Sequence, residues 1–194
     1  PSRSSDMKRL IVGVSGASAM PLTACLLQNL HYLADVEVHL IVSPGAERVL
    51  QHECHCKADS FRAYAHTVYD AADMAAGPSS GSWHHDGMII CPCSMSSLAS
   101  IASGAGMNLL HRAADVTLKE GRKLIIVPRE TPLNVIHIEN MHRLAMAGAV
   151  LMPFMPAFYV LPQNIEDILV HFCGRILDQM GLENGLVKRW HNNL

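Results

Sequence analysis

Residues 9–19 read RLIVGVSGASA, and Pro21 follows two positions later. The β-branched apolar run up to Val14 predicts a buried strand, and Gly16-Ala17-Ser18 predicts a tight turn. Proline is preset for the first turn of a helix, so Pro21 opens a helical pattern through Leu22, Cys25, Leu26 and Leu30. The same strand, turn and helix recur at residues 36–42, at Ser43-Pro44-Gly45, and through Ala46, Val49 and Leu50. A third strand at residues 87–90 is expected to stop at Cys91-Pro92-Cys93-Ser94, with helices over residues 96–103 and 109–120 after it. Residues 123–127 give a fourth strand, followed by the loop Pro128-Arg129-Glu130-Thr131-Pro132 and a helix whose apolar positions include Ile136, Met141 and Leu144; residues 150–152 give a short fifth. This alternation predicts a single α/β domain, doubly wound in the Rossmann-like or flavodoxin-like manner, with a parallel sheet between two helical layers. Residues 55–85 show no regular pattern, and the Gly-, Pro- and Ser-rich stretch 77–82 is expected to be a mobile loop.

The bulk numbers agree with one domain: 194 residues, 49% of them hydrophobic, suffice for one well-buried core and fall short of two. A formal charge of -2, with 15 Lys and Arg residues in no basic run, gives no field to gather nucleic acid, so any anion needs a local site. Six cysteines in so apolar a chain read as reduced thiols rather than a disulfide scaffold, and no apolar stretch approaches the roughly 18 to 20 residues that span a bilayer. A cytoplasmic protein is expected, with residues 1–6 a polar tail and residues 7–194 the folded domain.

In doubly wound sheets ligands lie outside the carboxyl ends of the strands. The loops there carry Ser18, Ser43, Ser94, Ser96 and Ser97, whose hydroxyls, with helix-start amides, can bind phosphate or can simply cap helices. With neither a G-x-G-x-x-G fingerprint nor a Walker lysine, a mononucleotide such as FMN fits better than NAD or ATP. Arg112, Lys119, Arg129 and Arg175 stand singly among apolar residues and need anionic partners, which Asp115 and Glu120 could supply for the first two, or a second phosphate. Arg129-Glu130, bounded by prolines, offers one charge to neutralise phosphate and one to accept a proton. Cys54-His55-Cys56 with His52 lacks a second pair of ligands at metal-binding spacing, so no metal is expected. Phe154, Pro156, Phe158 and Tyr159 form an apolar wall for a subunit contact or a planar ligand, and Trp190 could anchor an interface or close a neighbouring site.

Taken in order, these motifs resemble the flavin prenyltransferase family over residues 7–190, through Gly16-Ala17-Ser18, residues 91–99, Asn108-Leu109-Leu110 with residues 112–116, residues 118–120, residues 128–133 and Pro156-Ala157-Phe158-Tyr159. Relatives carry an older label as aromatic-acid or phenylacrylic-acid decarboxylases. The resemblance implies that the dimethylallyl group of dimethylallyl phosphate is joined to N5 and C6 of reduced FMN, yielding a cofactor for a UbiD-type decarboxylase, without a metal. It implies FMN held by Gly16, Ala17, Ser18, Ser43, Ser94, Met95, Ser96, Ser97 and Arg129, and the donor held by Arg112, Lys119, Tyr159 and Arg175. Ser18, Glu130 and Lys119 are the expected catalytic residues. It further implies a homo-oligomer, typically a dodecamer, with sites between subunits. Alternatives are an FMN-dependent decarboxylase of aromatic acids or cysteine peptides, and a non-catalytic flavin carrier. Three positions depart from the family pattern: Ala19 where Gly is common, Met107 where Asp or Asn is common, and Gly121 where a second Arg is common.

Overall fold

The computed structural model describes residues 7–187 and Arg189; Trp190 and the tail of residues 1–6 lie outside the described residues. Six strands form one parallel sheet in the order β3-β2-β1-β4-β5-β6. They are β1 (Lys8–Val14), β2 (Val36–Val42), β3 (Thr67–Asp70), β4 (Gly87–Cys93), β5 (Lys123–Pro128) and β6 (Val150–Leu151). Because successive strand residues point to opposite faces, two cores form. Leu10, Val12, Val38, Leu40, Ile89 and Ile125 meet α1 (Met20–His31), α2 (Pro44–Cys54) and α6 (Ile165–Met180) on one face. Ile11, Ile41, Met88, Ile90, Leu124 and Ile126 meet α3 (Met95–Ser103), α4 (Leu109–Lys119) and α5 (Val135–Met146) on the other. The doubly wound sheet expected from the alternation is therefore the observed one.

The helices start where side chains relieve their first amides. Ser43, Ser94, Asn108, Asn134 and Asn164 each accept a backbone N–H in the first turn of α2 to α6, a contact worth about 1 kcal/mol apiece. Gly104 and Gly181, both at positive φ, end α3 and α6.

Three expectations change. The third strand does not stop at Cys91: β4 runs on through the buried Cys91-Pro92-Cys93, and its pairing with β5 slips between Ile90 and Cys93, which accommodates a proline that has no N–H to give. The patternless stretch contains β3, an edge strand paired with β2 alone. The loop at residues 77–82 is pinned rather than mobile: Pro78 is buried, Arg112 Nε donates to Ser79 O at 3.1 Å, and Arg122 donates to Gly81 O at 2.7 Å and Trp83 O at 3.1 Å. In α5 the inward face is also narrower than its pattern suggests. Leu144 is buried, whereas Val135, Ile136, Ile138 and Met146 are all more than half exposed on a single chain.

Candidate functional site

The strand order reverses between β1 and β4, which opens a crevice at their carboxyl ends. Ser15, at the end of β1, ties the two sides of it together. Its backbone N–H donates to Pro92 O at 3.1 Å, its hydroxyl donates to the same carbonyl at 3.2 Å, and Ser94 N–H donates to Ser15 Oγ at 2.7 Å. The β1 and β2 loops are packed just as closely. A Cβ on Gly16 would lie 3.0 Å from the carbonyl carbon and 3.1 Å from the carbonyl oxygen of Gly45, so only glycine allows this approach of two backbones.

Within this crevice two of the serines cap helices and keep a hydroxyl proton free. Ser43 Oγ accepts Ala46 N–H at 3.2 Å and Ser94 Oγ accepts Ser97 N–H at 3.2 Å, so both are helix caps. A hydroxyl that accepts still has a proton to donate. The first-turn amides of Gly45, Met95 and Ser96 have no helical partner, so α2 and α3 present donors and the positive ends of their dipoles to the same space. Ser18 is half-buried and Ser96 exposed, whereas Ser97 is buried and its Oγ lies 3.1 Å from His111 Nε2.

Two residues that sequence reasoning missed shape the crevice. Ser15 is one; its place at the strand end was the signal. The other is Glu53, brought by α2, whose carboxylate accepts the N–H groups of Ala19 at 3.0 Å and Met20 at 2.9 Å. It thereby caps α1, which has no side-chain cap of its own. Nothing in the local sequence announces a partner 34 positions away.

Next to the crevice lies a cleft of about 260 Å³ lined by Met95, Pro128, Arg129, Glu130, Met141 and Phe154, among others. Arg129 and Glu130 are both exposed there; the Glu130 carboxylate accepts Thr131 N–H at 3.0 Å, which holds it at the mouth of the loop. The β5 loop thus adds one cation and one carboxylate to the donor-rich strand ends.

The other cations behave differently. Arg112 donates to Asp115 at 2.6 Å, Lys119 pairs with Glu120, and Arg175 donates to Asp178 at 3.1 Å. Each is balanced by a carboxylate on or just beyond its own helix. Arg112 and Lys119 are seven residues apart on α4 and so share a stripe. Tyr159 hydroxyl lies 3.3 Å from Nε2 of His171, one turn before Arg175 on α6, so Tyr159 and Arg175 also share a region. But α4 and α6 cover opposite faces of the sheet. A single chain does not bring together the four residues that the resemblance assigns to the donor.

The Flavoprotein family model matches residues 1–176. A flavin prenyltransferase (LpdB) of Lactiplantibacillus plantarum is 48% identical over 187 residues, which cover 96% of this chain and all of that protein. The crystal structure of AnUbiX (PadA1), in complex with FMN and dimethylallyl pyrophosphate, superimposes with a TM-score of 0.93 at 44% identity, covering 96% of this chain and 98% of that one. A dodecameric FMN-dependent Ubix-like decarboxylase from Escherichia coli O157:H7 superimposes with a TM-score of 0.92 at 47% identity, covering 95% of this chain and 100% of that one.

Proposed function

The chain belongs to the flavin prenyltransferase family of flavoproteins, and on that premise we propose that it joins the dimethylallyl group of dimethylallyl phosphate to N5 and C6 of reduced FMN. The C–O bond to phosphate breaks as the N5–C bond forms, phosphate leaving with the bonding pair and N5 giving up its proton; the prenyl double bond then takes up a proton, and C6 attacks the resulting tertiary carbon and releases its own hydrogen as a proton as the ring closes. The observation that carries this reading is the β1/β4 crevice, whose serine hydroxyls and orphan helix-start amides suit a phosphate-bearing mononucleotide without a phosphate-binding lysine motif. Gly16, Ala17, Ser18, Ser43, Ser94, Met95, Ser96, Ser97 and Arg129 hold FMN in this reading. Ser18 and Glu130 handle protons beside it, and Arg112, Lys119, Tyr159 and Arg175 grip the donor, Lys119 also stabilising the departing phosphate.

For these donor residues to converge, α4 of one subunit must face α6 of another. The exposed apolar residues Ile136, Ile138, Met146, Met155, Phe158 and Leu161 supply surface for such contacts, which supports an oligomer, a dodecamer in this reading, with shared sites. The six free cysteines suit a reducing cytoplasm, and among the described residues no helix is long and apolar enough to cross a membrane. A UbiD-type decarboxylase receives the product.

The test is anaerobic incubation with reduced FMN and dimethylallyl phosphate, followed by mass spectrometry of the extracted flavin. The expected product is heavier than FMN by one cyclised five-carbon unit; unchanged flavin from folded protein sinks the proposal. A decarboxylase, the activity in the name of the E. coli relative, would instead release carbon dioxide from an aromatic acid with no prenyl donor present.

A further inference from the structure

His111 has no part in the reaction as described so far, yet it touches the crevice from behind. It stands in the first turn of α4, where its own N–H donates to the Asn108 cap at 2.9 Å. The loop before it leaves no slack: a Cβ on Gly106 would lie 2.4 Å from the His111 Cβ. The imidazole therefore sits in a fixed place between α4 and α3, with Nε2 3.1 Å from Ser97 Oγ. Its Nδ1 is buried and has no partner among the described residues.

That orphan nitrogen decides which way the hydrogen bond runs. A buried N–H without an acceptor costs about 1–3 kcal/mol, whereas a bare lone pair is tolerated more readily. The ring's proton is accordingly assigned to Nε2, and burial keeps the imidazole neutral by pushing its pKa down. Nε2–H then donates to Ser97 Oγ. Ser97 becomes the acceptor in that contact, and its own hydroxyl proton has no acceptor among the described residues. Its backbone N–H is already committed to Ser94 Oγ, so the hydroxyl proton is what Ser97 has left to offer a ligand.

We propose that His111 is a positioning residue: by donating to Ser97 Oγ it obliges the Ser97 hydroxyl to donate to an acceptor oxygen or nitrogen of bound FMN. The inference rests on the reading that residues 94–97 hold FMN, and it adds a side chain on α4 to the flavin site. The ligand's acceptor completes a chain of donors that begins at a histidine with no other polar task.

The test is FMN affinity of the purified oligomer, measured by quenching of flavin fluorescence. His111→Phe keeps the bulk and loses the donor, and should raise Kd about tenfold. Ser97→Ala should raise it by about the same factor. His111→Gln, whose amide nitrogen reaches to the Nε2 position, should restore binding to within about twofold of wild type, and His111→Phe combined with Ser97→Ala should be no weaker than Ser97→Ala alone. Where His111→Phe does not fold, His111→Asn replaces it, because the shorter amide fits the space without spanning to Ser97. An unchanged Kd in His111→Phe or His111→Asn overturns the inference. So does a His111→Gln as weak as His111→Phe, or losses that multiply in the double variant. Wild-type protein that does not bind FMN overturns the reading of the site itself, which is a separate failure.

Discussion

Ala19 adopts φ 103° and ψ 32° at the end of the first loop, a conformation that glycine takes freely and alanine does not. The turn persists because Glu53 holds the Ala19 and Met20 amides. Ala19→Gly should therefore stabilise the protein by about 1 kcal/mol, read as a higher midpoint in chemical denaturation; a lower midpoint would show that the turn is not strained. Glu53→Gln should loosen the same turn and weaken FMN binding several-fold, since it replaces a charged acceptor with a neutral one at two amides. Far from the site, at the other end of the sheet, His85 is 5% exposed beside Trp83, and burial pushes its imidazole down to about 4 from an ordinary 6.5. The unfolded chain takes up a proton below 6.5 while the fold refuses it until about 4. Stability is thus lost as pH falls through that window, by up to about 3 kcal/mol, and is fully present above it. Denaturation midpoints at pH 7 and pH 4.5 should show the loss in wild type and a much smaller one in His85→Leu.

Elements were legible in the sequence to the extent that their signals were local. β1 and β5 carry unbroken apolar runs at residues 10–14 and 124–127, β2 alternates through Glu37 and His39 before ending on Leu40-Ile41-Val42, and each crevice loop carries its own turn chemistry, so the parallel sheet and the crevice at its strand ends could both be read. β3 could not: its four residues pair on one side alone and are at most half-buried, which leaves no apolar run to see. β4 was cut short because a proline reads as a stop, and only the slipped register shows that the strand passes through it. The loop at residues 77–82 looked free because the groups that pin it, Arg112 and Arg122, are more than thirty positions further on. The same holds for Glu53 and His111, whose roles depend on partners brought by other elements. At this scale α4 is the informative helix. Lys119 lies at its exposed end and, among the described residues, pairs with Glu120, beside a Gly81 whose missing Cβ leaves room for both charges. Lys119→Ala should leave FMN affinity unchanged and cut prenyl transfer by at least tenfold; equal loss of FMN binding would place Lys119 at the flavin instead.

The whole molecule poses a problem that one chain cannot solve. Its sheet separates Arg112 and Lys119 on the α4 side from Tyr159 and Arg175 on the α6 side, and no motion short of unfolding brings the two pairs round a sheet whose central strands are buried on both faces. If these four grip one donor phosphate, each site draws on two subunits. Arg112→Ala and Arg175→Ala should then each be inactive alone, because every site in either oligomer lacks one cation. Co-expression of the two variants changes the count. Wherever an Arg175→Ala subunit supplies its intact α4 to an Arg112→Ala subunit supplying its intact α6, a complete site forms, and random mixing in a symmetric assembly makes such sites roughly a quarter of the total. Prenyl transfer by the mixed oligomer should recover to about that fraction of wild type. Recovery should vanish when Ile136→Asp is added to both chains, if the exposed face of α5 seals the contacts that hold the assembly together. A mixed oligomer as inactive as its parents, shown by mass spectrometry to contain both variants, would mean that the two cation pairs serve different anions.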